Sequence, residues 1–330
     1  MTARVVVIVP AFNEERTVGR VVRGALDVLS AAGMEGRVVV VDDGSTDRTA
    51  DVAREAGAEV ISLGANHGVG QALRIGLEQA LRMGADYVLN MDADGQFDPA
   101  SIPALLDPLL KGEADVALGS RFADPRLVPE MPRVKRWGNR WMSRIISHIA
   151  GQRFHDVSCG FRAYTREAAL RLNLWGAFTY TQEAILDMAV KGMRIREIPI
   201  RVRGVREFGP SRVASNLWRY GWRTLKIILA TFRDYWPLQF FGWIGTALVT
   251  PGVLLWCFLL WHRVRSGGFH PHIWTGFVGA AFVASGALVW LLGIMAEMLK
   301  RIRLNQEEIL FHLRSSGYRG RGPADTQRES

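Results

Sequence analysis

The sequence has few side chains that act through sulfur or imidazole. Its 330 residues include two cysteines and seven histidines. Cys159 and Cys257 lie far apart in the chain, and Cys257 lies in a long apolar stretch, so no disulfide framework is expected. His67 and His155 are isolated and predict no metal cluster. These absences indicate that the soluble part of the protein occupies a reducing compartment.

The sequence also lacks a low-complexity tract and an N-terminal signal peptide. It is 48% hydrophobic and 22% charged, a balance that argues against a disordered or fibrous protein. The start, MTARVVVIVP, has a short β-branched run and no small-residue cleavage site, which predicts a first strand. The net charge of +9 predicts a polyanionic partner, such as a nucleic acid, an anionic lipid or a phosphorylated substrate.

Residues 1–200 alternate Val- and Ile-rich runs with amphipathic segments, a pattern typical of an α/β domain with a largely parallel sheet. The predicted strands are Val5–Val9, Val38–Val41, Glu59–Leu63, Tyr87–Met91 and Val116–Gly119. The predicted helices lie near Thr17–Ala32, Thr49–Ala56, Val69–Met83 and Ala100–Leu110. Binding residues of such a sheet are expected at the carboxyl ends of its strands.

The segment DADGQ (residues 92–96) directly follows the fourth predicted strand. Asp92, Asp94 and the Gln96 amide can converge on one hard cation if the chain turns at Gly95. Mg²⁺ or Mn²⁺ there would bridge the diphosphate of a nucleotide substrate and neutralise charge on the leaving group. Exposed acidic turns are also common, but a position after a buried strand favours the metal site.

Two further polar segments follow predicted strands. PAFNEE (residues 10–15) ends the first strand, where a nucleotide could lie, although Asn13 or Glu14 could equally cap the next helix. DDGSTD (residues 42–47) follows the second strand, and its carboxylates could accept hydrogen bonds from a base or ribose. The alternative for this second segment is an ordinary Asx turn.

The character of the chain changes after residue 210. Val213–Trp236 carries tryptophans and leucines at helical spacing beside a basic stripe, as in a helix that lies in a membrane interface or a core helix with a solvated edge. Leu238–Trp261 and Ile273–Met298 are predominantly apolar and long enough to cross a hydrocarbon core of ~30 Å. They predict a transmembrane hairpin, against the alternative of two buried helices in a soluble protein.

Basic residues cluster on both sides of this predicted hairpin. They are Arg219, Arg223, Lys226 and Arg233 before it, and Lys300, Arg301, Arg303, Arg314, Arg319 and Arg321 after it. By the positive-inside rule both flanks are cytosolic, although Arg263 and Arg265 in the connecting loop weaken that signal. Anionic lipids explain basic residues beside membrane segments better than nucleic acid does, so no nucleic-acid partner is predicted.

Six motifs, taken together in this order, resemble those of the inverting family 2 glycosyltransferases with a GT-A fold. They are VPAFNEE, VVVDDGSTDRT, NHGVGQALRIG, NMDADGQFDP, GSRF and CGFRAY, and the resemblance covers roughly residues 4–215. It is strongest to the branch of dolichol-phosphate mannose synthase and the bacterial polyprenyl-phosphate glycosyltransferases. The resemblance implies a Rossmann-like, mostly parallel sheet and transfer of a sugar from a nucleotide-sugar to a lipid phosphate, with inversion. The motifs are specific for the family but not for the sugar.

The resemblance also implies roles for individual residues. Binding of the nucleotide-sugar is implied for Pro10, Phe12, Glu14, Val41, Asp43, Asp92 and Ala93. A divalent metal, Mg²⁺ or Mn²⁺, is implied at Asp92, Asp94 and Gln96. The acceptor phosphate is implied at Arg121, Lys135 or Arg136, Arg206 and Arg212. Catalytic roles are implied for Asp94, Arg121 and Arg206.

The basic set fits a phosphate independently, because guanidinium groups pair well with phosphate oxygens, although any one of them could be a solvated surface residue. The chain departs from the family in one motif: where G-E-S-K is common, residues 209–212 read GPSR, which keeps the cation and loses the preceding acid. Asp156 and Glu183 could contact sugar hydroxyls, or belong to a structural loop and a helix start.

The predicted organisation has four parts: a GT-A domain (1–210), an interfacial helix (211–237), a transmembrane hairpin (238–299) and a basic cytosolic tail (300–330). The predicted reaction transfers a sugar from GDP-mannose or a UDP-hexose to polyprenyl or dolichyl phosphate at the bilayer. One rival is a polysaccharide synthase, whose Q-x-x-R-W motif is missing here. The other is a membrane-tethered scaffold without catalysis. Small membrane hairpins often associate, so a homo-oligomer is also open.

Overall fold

The computed structural model describes residues 2–129, 131, 133–174, 180–203, 229–230 and 232–319, with the side chains of 133–135 and 319 outside the description. The chain divides into two compact units. The first unit comprises Met1–Tyr220 and Phe311–Ser330, and the second comprises Gly221–Leu310. All strands of the described residues belong to the first unit.

Within the described residues, seven strands form one sheet in the first unit. They are β1 (Arg4–Ala11), β2 (Glu35–Asp42), β3 (Glu59–Ser62), β4 (Tyr87–Asn90), β5 (Val116–Ser120), β6 (Arg162–Thr165) and β7 (Ile195–Pro199). Their order across the sheet is β3-β2-β1-β4-β6-β5-β7. β6 runs antiparallel to β4 and β5, and the other neighbours are parallel. The sheet is therefore mostly parallel, as predicted.

Seven α-helices of the described chain lie in the first unit. They are α1 (Val18–Ala31), α2 (Thr49–Glu55), α3 (Val69–Arg82), α4 (Ile102–Leu110), α5 (Arg133–Ala150), α6 (Arg166–Arg171) and α7 (Tyr180–Val190). The second unit contains α8 (Pro237–Ser266) and most of α9 (Ile273–Arg319). The four helices predicted in the first unit are confirmed as α1 to α4, and a short 3₁₀ turn, Pro99–Ser101, precedes α4.

β1 lies inside the sheet because it is apolar on both faces. Residues Val5–Val9 are all fully buried, whereas a strand with one solvated face would alternate. α3 packs tightly on this strand, and a Cβ at Gly76 would lie 2.3 Å from the Ile8 side chain. The loops after β1, β2 and β4 leave the same edge of the sheet, since these three neighbours are parallel. Three of the polar motifs therefore share one side of a rigid frame.

The second unit contains two long apolar helices. The most apolar parts of α8 and α9 have mean hydropathies of 1.9 and 2.1, and only 11% and 17% of these parts are buried. Such exposure differs from that of a core helix in a soluble protein. The predicted spans Leu238–Trp261 and Ile273–Met298 lie within these two helices. One carboxylate, Glu297, lies near the end of the second span and pairs with Lys300 at 3.4 Å.

The predicted interfacial helix, residues 211–237, lies mostly outside the described residues. The chain after the second span remains helical to Arg319, so the first part of the predicted tail continues α9. In the first unit, Arg314 Nη1 donates a hydrogen bond to Asn173 Oδ1 at 3.1 Å. The guanidinium of Arg171 lies 4.0 Å from the centre of the Phe311 ring. The end of α9 is thus bound to α6 and the residues that follow it.

Candidate active site

The loops after β1 and β2 are joined by hydrogen bonds. Asn13, whose φ is 53°, accepts a hydrogen bond from the backbone N–H of Thr46 at 2.7 Å. The backbone N–H of Glu14 donates to Thr49 Oγ1 at 2.8 Å. The N-cap of α1 is Thr17, so neither Asn13 nor Glu14 is the N-cap of that helix. These contacts hold the PAFNEE loop against the start of α2.

Asp43 organises the loop that precedes α3. Its two carboxylate oxygens accept hydrogen bonds from the backbone N–H groups of His67 and Gly68, at 2.7 and 2.8 Å. Val41 is fully buried near the end of β2. Contact with the nucleoside remains a prediction for five residues: Pro10, Phe12, Glu14, Val41 and Asp43.

Residues 92–96 leave β4 in a tight turn, as predicted. Gly95 has a φ of +72°, a conformation that glycine adopts without strain. The backbone N–H of Gln96 donates to Asp94 Oδ1 at 3.0 Å, and the Asp94 side chain is largely buried. The Gln96 Nε2 donates to the carbonyl oxygen of Arg203 at 2.9 Å. These bonds hold the turn in one conformation.

The donor set of this turn restricts which metal could bind. Among the described residues, no three imidazole, thiolate or carboxylate side chains converge on one point. A structural zinc site needs such a set, usually with cysteine or histidine. Mg²⁺ is commonly held by one or two carboxylates together with substrate phosphates and water. Asp92 and Asp94 therefore suit a hard cation that arrives with a nucleotide diphosphate.

Arg121, which follows β5, is bound to a buried carboxylate. Its Nε and Nη2 donate to the two oxygens of Asp156 at 2.6 and 2.9 Å, and Nη2 also donates to Ser158 Oγ at 2.6 Å. Burial raises the pKa of Asp156, but the charge and hydrogen bonds of Arg121 outweigh burial, so the pKa lies below its ordinary value. Asp156 is therefore a structural partner of Arg121 and not an exposed group for sugar hydroxyls.

α5 places a row of arginines along a cavity of about 440 Å³. The basic residues that line this arginine cavity are Arg136, Arg140, Arg144, Arg153 and His155. Three of them recur every fourth residue and so share one face of α5. None of the four arginines forms an ion pair within the described part of the chain. Unneutralised guanidinium groups around a cavity suit a ligand that carries phosphate.

Hydrogen bonds connect Arg121 to this cavity. Ser158 Oγ, which accepts from Arg121, donates to Asn139 Oδ1 on α5 at 2.9 Å. Asn139 Nδ2 in turn donates to the carbonyl oxygen of His155 at 3.1 Å. Phe122, the neighbour of Arg121, lines the arginine cavity. Arg121 and Arg136, both predicted to bind the acceptor phosphate, therefore belong to one region.

Other predicted acceptor residues cannot be placed in this way. Arg206, Arg212 and the side chain of Lys135 lie outside the described residues. Sequence reasoning missed the remaining arginines of the cavity, and it missed Trp137 and Trp141, which are 67% and 43% exposed on the same helix. The i,i+4 spacing within RWGNRWMSR (residues 136–144) is the signal that could have identified this helix face.

A mostly parallel sheet with an acidic turn at its carboxyl edge is the architecture of a GT-A glycosyltransferase. The chain belongs to glycosyl transferase family 2, whose family model matches residues 6–172, about half of its 330 residues.

Two relatives and one solved structure illustrate the similarity. Glycosyltransferase AglJ of Haloferax volcanii is 34% identical over 198 residues, which are 59% of this chain and 61% of AglJ, so the chain spans less than two thirds of that relative. The dolichyl-phosphate hexose transferase of the same organism is 31% identical over 197 residues, 60% of this chain and 82% of the relative. The solved structure is that of glucosyl-3-phosphoglycerate synthase of Mycobacterium tuberculosis, in complex with Mn²⁺, uridine diphosphate and glucosyl-3-phosphoglycerate. Its TM-score is 0.54 at 23% identity, and the match covers 71% of this chain and 80% of the synthase chain. The structural likeness establishes the fold.

Proposed function

We propose that this protein transfers a sugar from a nucleotide-sugar to the phosphate of a polyprenyl or dolichyl phosphate, with inversion at the anomeric carbon. The observation that carries the proposal is the arginine cavity beside Arg121, in a family 2 transferase that also has two long apolar helices. Cations there would bind the phosphate of the acceptor, and the apolar helices suit an acceptor that resides in a bilayer. The dolichyl-phosphate hexose transferase among the relatives supports the same acceptor class. The donor is GDP-mannose or a UDP-hexose.

A divalent ion, Mg²⁺ or Mn²⁺, belongs to this proposal. Asp92 and Asp94 would hold it, and the hydrogen bond from the Gln96 backbone keeps the Asp94 carboxylate in place. Because the Gln96 side-chain nitrogen is bound to Arg203, its carbonyl oxygen is the atom that could contribute to the ion. When bound, the ion supplies positive charge against the diphosphate as it leaves. The nucleoside would lie along the loops that carry Pro10, Phe12, Glu14, Val41 and Asp43.

The proposed reaction is one displacement. An oxygen of the acceptor phosphate forms a bond to the anomeric carbon while the bond from that carbon to the diphosphate oxygen breaks, and the electron pair leaves on the nucleoside diphosphate. A phosphate monoester has a second pKa of about 6, so it is ionised near neutral pH and needs no strong general base. Arg121 and the arginines of α5, together with Arg206 and Arg212, position the acceptor by charge and hydrogen bonding.

The membrane topology follows from the same proposal. Parts of α8 and α9, residues 238–261 and 273–298, cross the bilayer, and the first unit lies on the cytosolic side. Basic residues on both flanks of the hairpin support this orientation. The tryptophans and the basic stripe in the sequence of Val213–Trp236 support the same membrane setting.

The test measures transfer of radiolabelled sugar from a panel of GDP- and UDP-sugars into chloroform-soluble product. Purified protein is incubated with polyprenyl phosphate and Mn²⁺ or Mg²⁺, with EDTA as a control. We expect label from one donor to enter the lipid phase, and Asp94→Ala to lower the rate by about 10²–10³-fold through lost charge stabilisation. Asp51→Ala, at an exposed acid on α2, is the matched control and should keep the rate. Folded protein that transfers no label to lipid from any donor would favour a scaffold, and label in a polysaccharide would favour a different acceptor.

A further inference from the structure

β4 and β6 bring buried polar side chains together behind the turn at residues 92–96. Asn90 lies opposite Arg162 in the antiparallel pair, and they are 0% and 1% exposed. Asn90 Nδ2 donates to the carbonyl oxygen of Gly160 at 2.5 Å and to the Tyr180 hydroxyl at 2.8 Å. Arg162 Nε donates to a backbone carbonyl, that of Cys159, at 2.9 Å.

The charge of Arg162 is not accounted for by these contacts. Neither of its terminal nitrogens meets hydrogen-bond geometry with a described residue, and the same holds for Asn90 Oδ1 and for the Tyr164 hydroxyl, on which the charge of Arg162 also acts. Its guanidinium lies 5.8 Å from the centre of the Tyr180 ring. No carboxylate of the described chain forms an ion pair with this guanidinium, and a buried charge of that kind is costly to the fold, so its presence calls for a reason other than stability.

Gly160 is the point at which this cluster contacts Asp92. A Cβ on Gly160 would lie 3.0 and 3.1 Å from the two carboxylate oxygens of Asp92 and 2.9 Å from the Tyr180 hydroxyl oxygen. The Asp92 carboxylate therefore packs against the Gly160 backbone. Burial raises the pKa of the Tyr180 phenol, the charge of Asp92 raises it further and the charge of Arg162 lowers it, so both charges act on the same ring.

We infer that Arg162 is a positioning residue for Asp92. Its buried positive charge, with the flat contact at Gly160 and the Tyr180 hydroxyl, holds the Asp92 carboxylate in the orientation that presents it to the metal and the donor diphosphate. In the low dielectric of this buried cluster, the attraction between the Arg162 guanidinium and the Asp92 carboxylate is stronger than it would be in water. The inference rests on the metal-dependent donor site of the proposed function and does not depend on the acceptor.

The first test adds one methyl group. Gly160→Ala places a Cβ against Asp92 and should weaken Mn²⁺ binding in the presence of UDP or GDP by about 10–100-fold, the usual effect of disturbing groups behind metal ligands. Free Mn²⁺ is measured by electron paramagnetic resonance, which does not require turnover. Gly317→Ala, where a Cβ would meet nothing within 4 Å, is the matched control and should bind Mn²⁺ as the wild type does.

The second test changes the charge. Arg162→Met should weaken Mn²⁺ binding to the same extent as Gly160→Ala and should raise KM for the donor. Arg162→Lys should recover part of the Mn²⁺ affinity and part of the donor KM. KM for polyprenyl phosphate should stay unchanged in both variants. Wild-type affinity in a folded Arg162→Met protein would overturn the inference, as would equal losses in both Arg162 variants. If Arg162→Met does not fold, wild-type affinity in Gly160→Ala would overturn it instead.

The outcomes separate this inference from the proposed function. Weakened Mn²⁺ binding in the variants, with no lipid product from the wild type, would refute the acceptor and support the role of Arg162. Lipid product from the wild type, with Mn²⁺ binding unaffected in the variants, would support the proposed acceptor and refute the role of Arg162. If the wild type bound no Mn²⁺ with either nucleotide, the inference would fall, because Asp92 would have no ion to be positioned for.

Discussion

The Asp156 side chain is fully buried and pairs with Arg121, so its replacement should destabilise the protein strongly. Asp156→Asn leaves the Arg121 charge without its partner and should lower the free energy of unfolding by about 3 kcal/mol at pH 7. Because the pKa of Asp156 lies below its ordinary value in the folded state, the ion pair stabilises the protein above pH ~4 and is lost as the pH falls through the folded pKa.

Urea unfolding of the wild type and Asp156→Asn at pH 7 and again near pH 3 measures this difference. The difference in free energy of unfolding between the two proteins should be smaller at the lower pH. Asp51→Asn, which removes an exposed pair with Arg54, serves as control and should change the free energy by less than about 0.5 kcal/mol. A gap that persists unchanged at low pH would contradict the ion-pair explanation.

Cys159 should be an unreactive thiol. Burial raises its pKa to about 12, so almost no thiolate exists at pH 8, and the thiolate is the nucleophile. Iodoacetamide should leave Cys159 unmodified in the native protein and modify it after denaturation, as read by peptide mass spectrometry. Labelling of native Cys159 at the rate of the denatured chain would show a reactive thiol instead of a buried filler.

At the scale of single residues, the sequence indicated the polar residues that follow strands but not the side chains that contact them. Asp92 and Asp94 could be selected as candidates because they lie one residue apart, directly after a buried strand. The Arg121–Asp156 pair joins residues 35 positions apart, and no periodicity links them. The buried contact of Gly160 with Asp92 was hidden for the same reason, since it arises from an antiparallel strand that the pattern did not reveal.

Among the elements, strands with continuous apolar runs were predicted within a few residues. β1 and β2 are Val-rich and were found, whereas β6 (RAYT) and β7 (IREIP) were not. β6 is only four residues long and begins with a buried arginine. β7 has two adjacent charged residues between its two isoleucines and ends in a proline. Burial of Arg162 is decided by tertiary contacts, which outweigh the local preference of a charged residue for solvent.

The arginines of α5 should contribute to binding of the acceptor and not to binding of the donor. Arg140→Gln and Arg144→Gln each remove a cation from the arginine cavity, so each should raise KM for polyprenyl phosphate about tenfold and leave KM for the nucleotide-sugar unchanged. Initial rates at varied lipid and donor concentrations measure both constants. Arg82→Gln, at an exposed arginine at the end of α3, is the control and should change neither. A rise in KM for the nucleotide-sugar alone would show that the arginine cavity binds the donor and not the acceptor.

For the whole molecule, composition and charge distribution were more informative than any single motif about where the protein works. The net charge of +9 and the apolar stretches predicted a membrane setting, and the long exposed apolar helices of the second unit agree with it. The boundaries of the two compact units were harder to predict from the sequence. The end of α9, from Phe311 onward, belongs to the first unit, although the predicted hairpin separates it in sequence from the rest of that unit.

Mass spectrometry of the product distinguishes a lipid-phosphate acceptor from every other acceptor. Purified protein is given the active nucleotide-sugar with polyprenyl phosphate, or with the unphosphorylated polyprenol as the matched alternative acceptor. We expect one product, with the mass of polyprenyl phosphate plus one hexose less water, formed in equal amount with the nucleoside diphosphate. A glycosylated polyprenol, a lengthening saccharide, or nucleoside diphosphate released with free sugar only would contradict it.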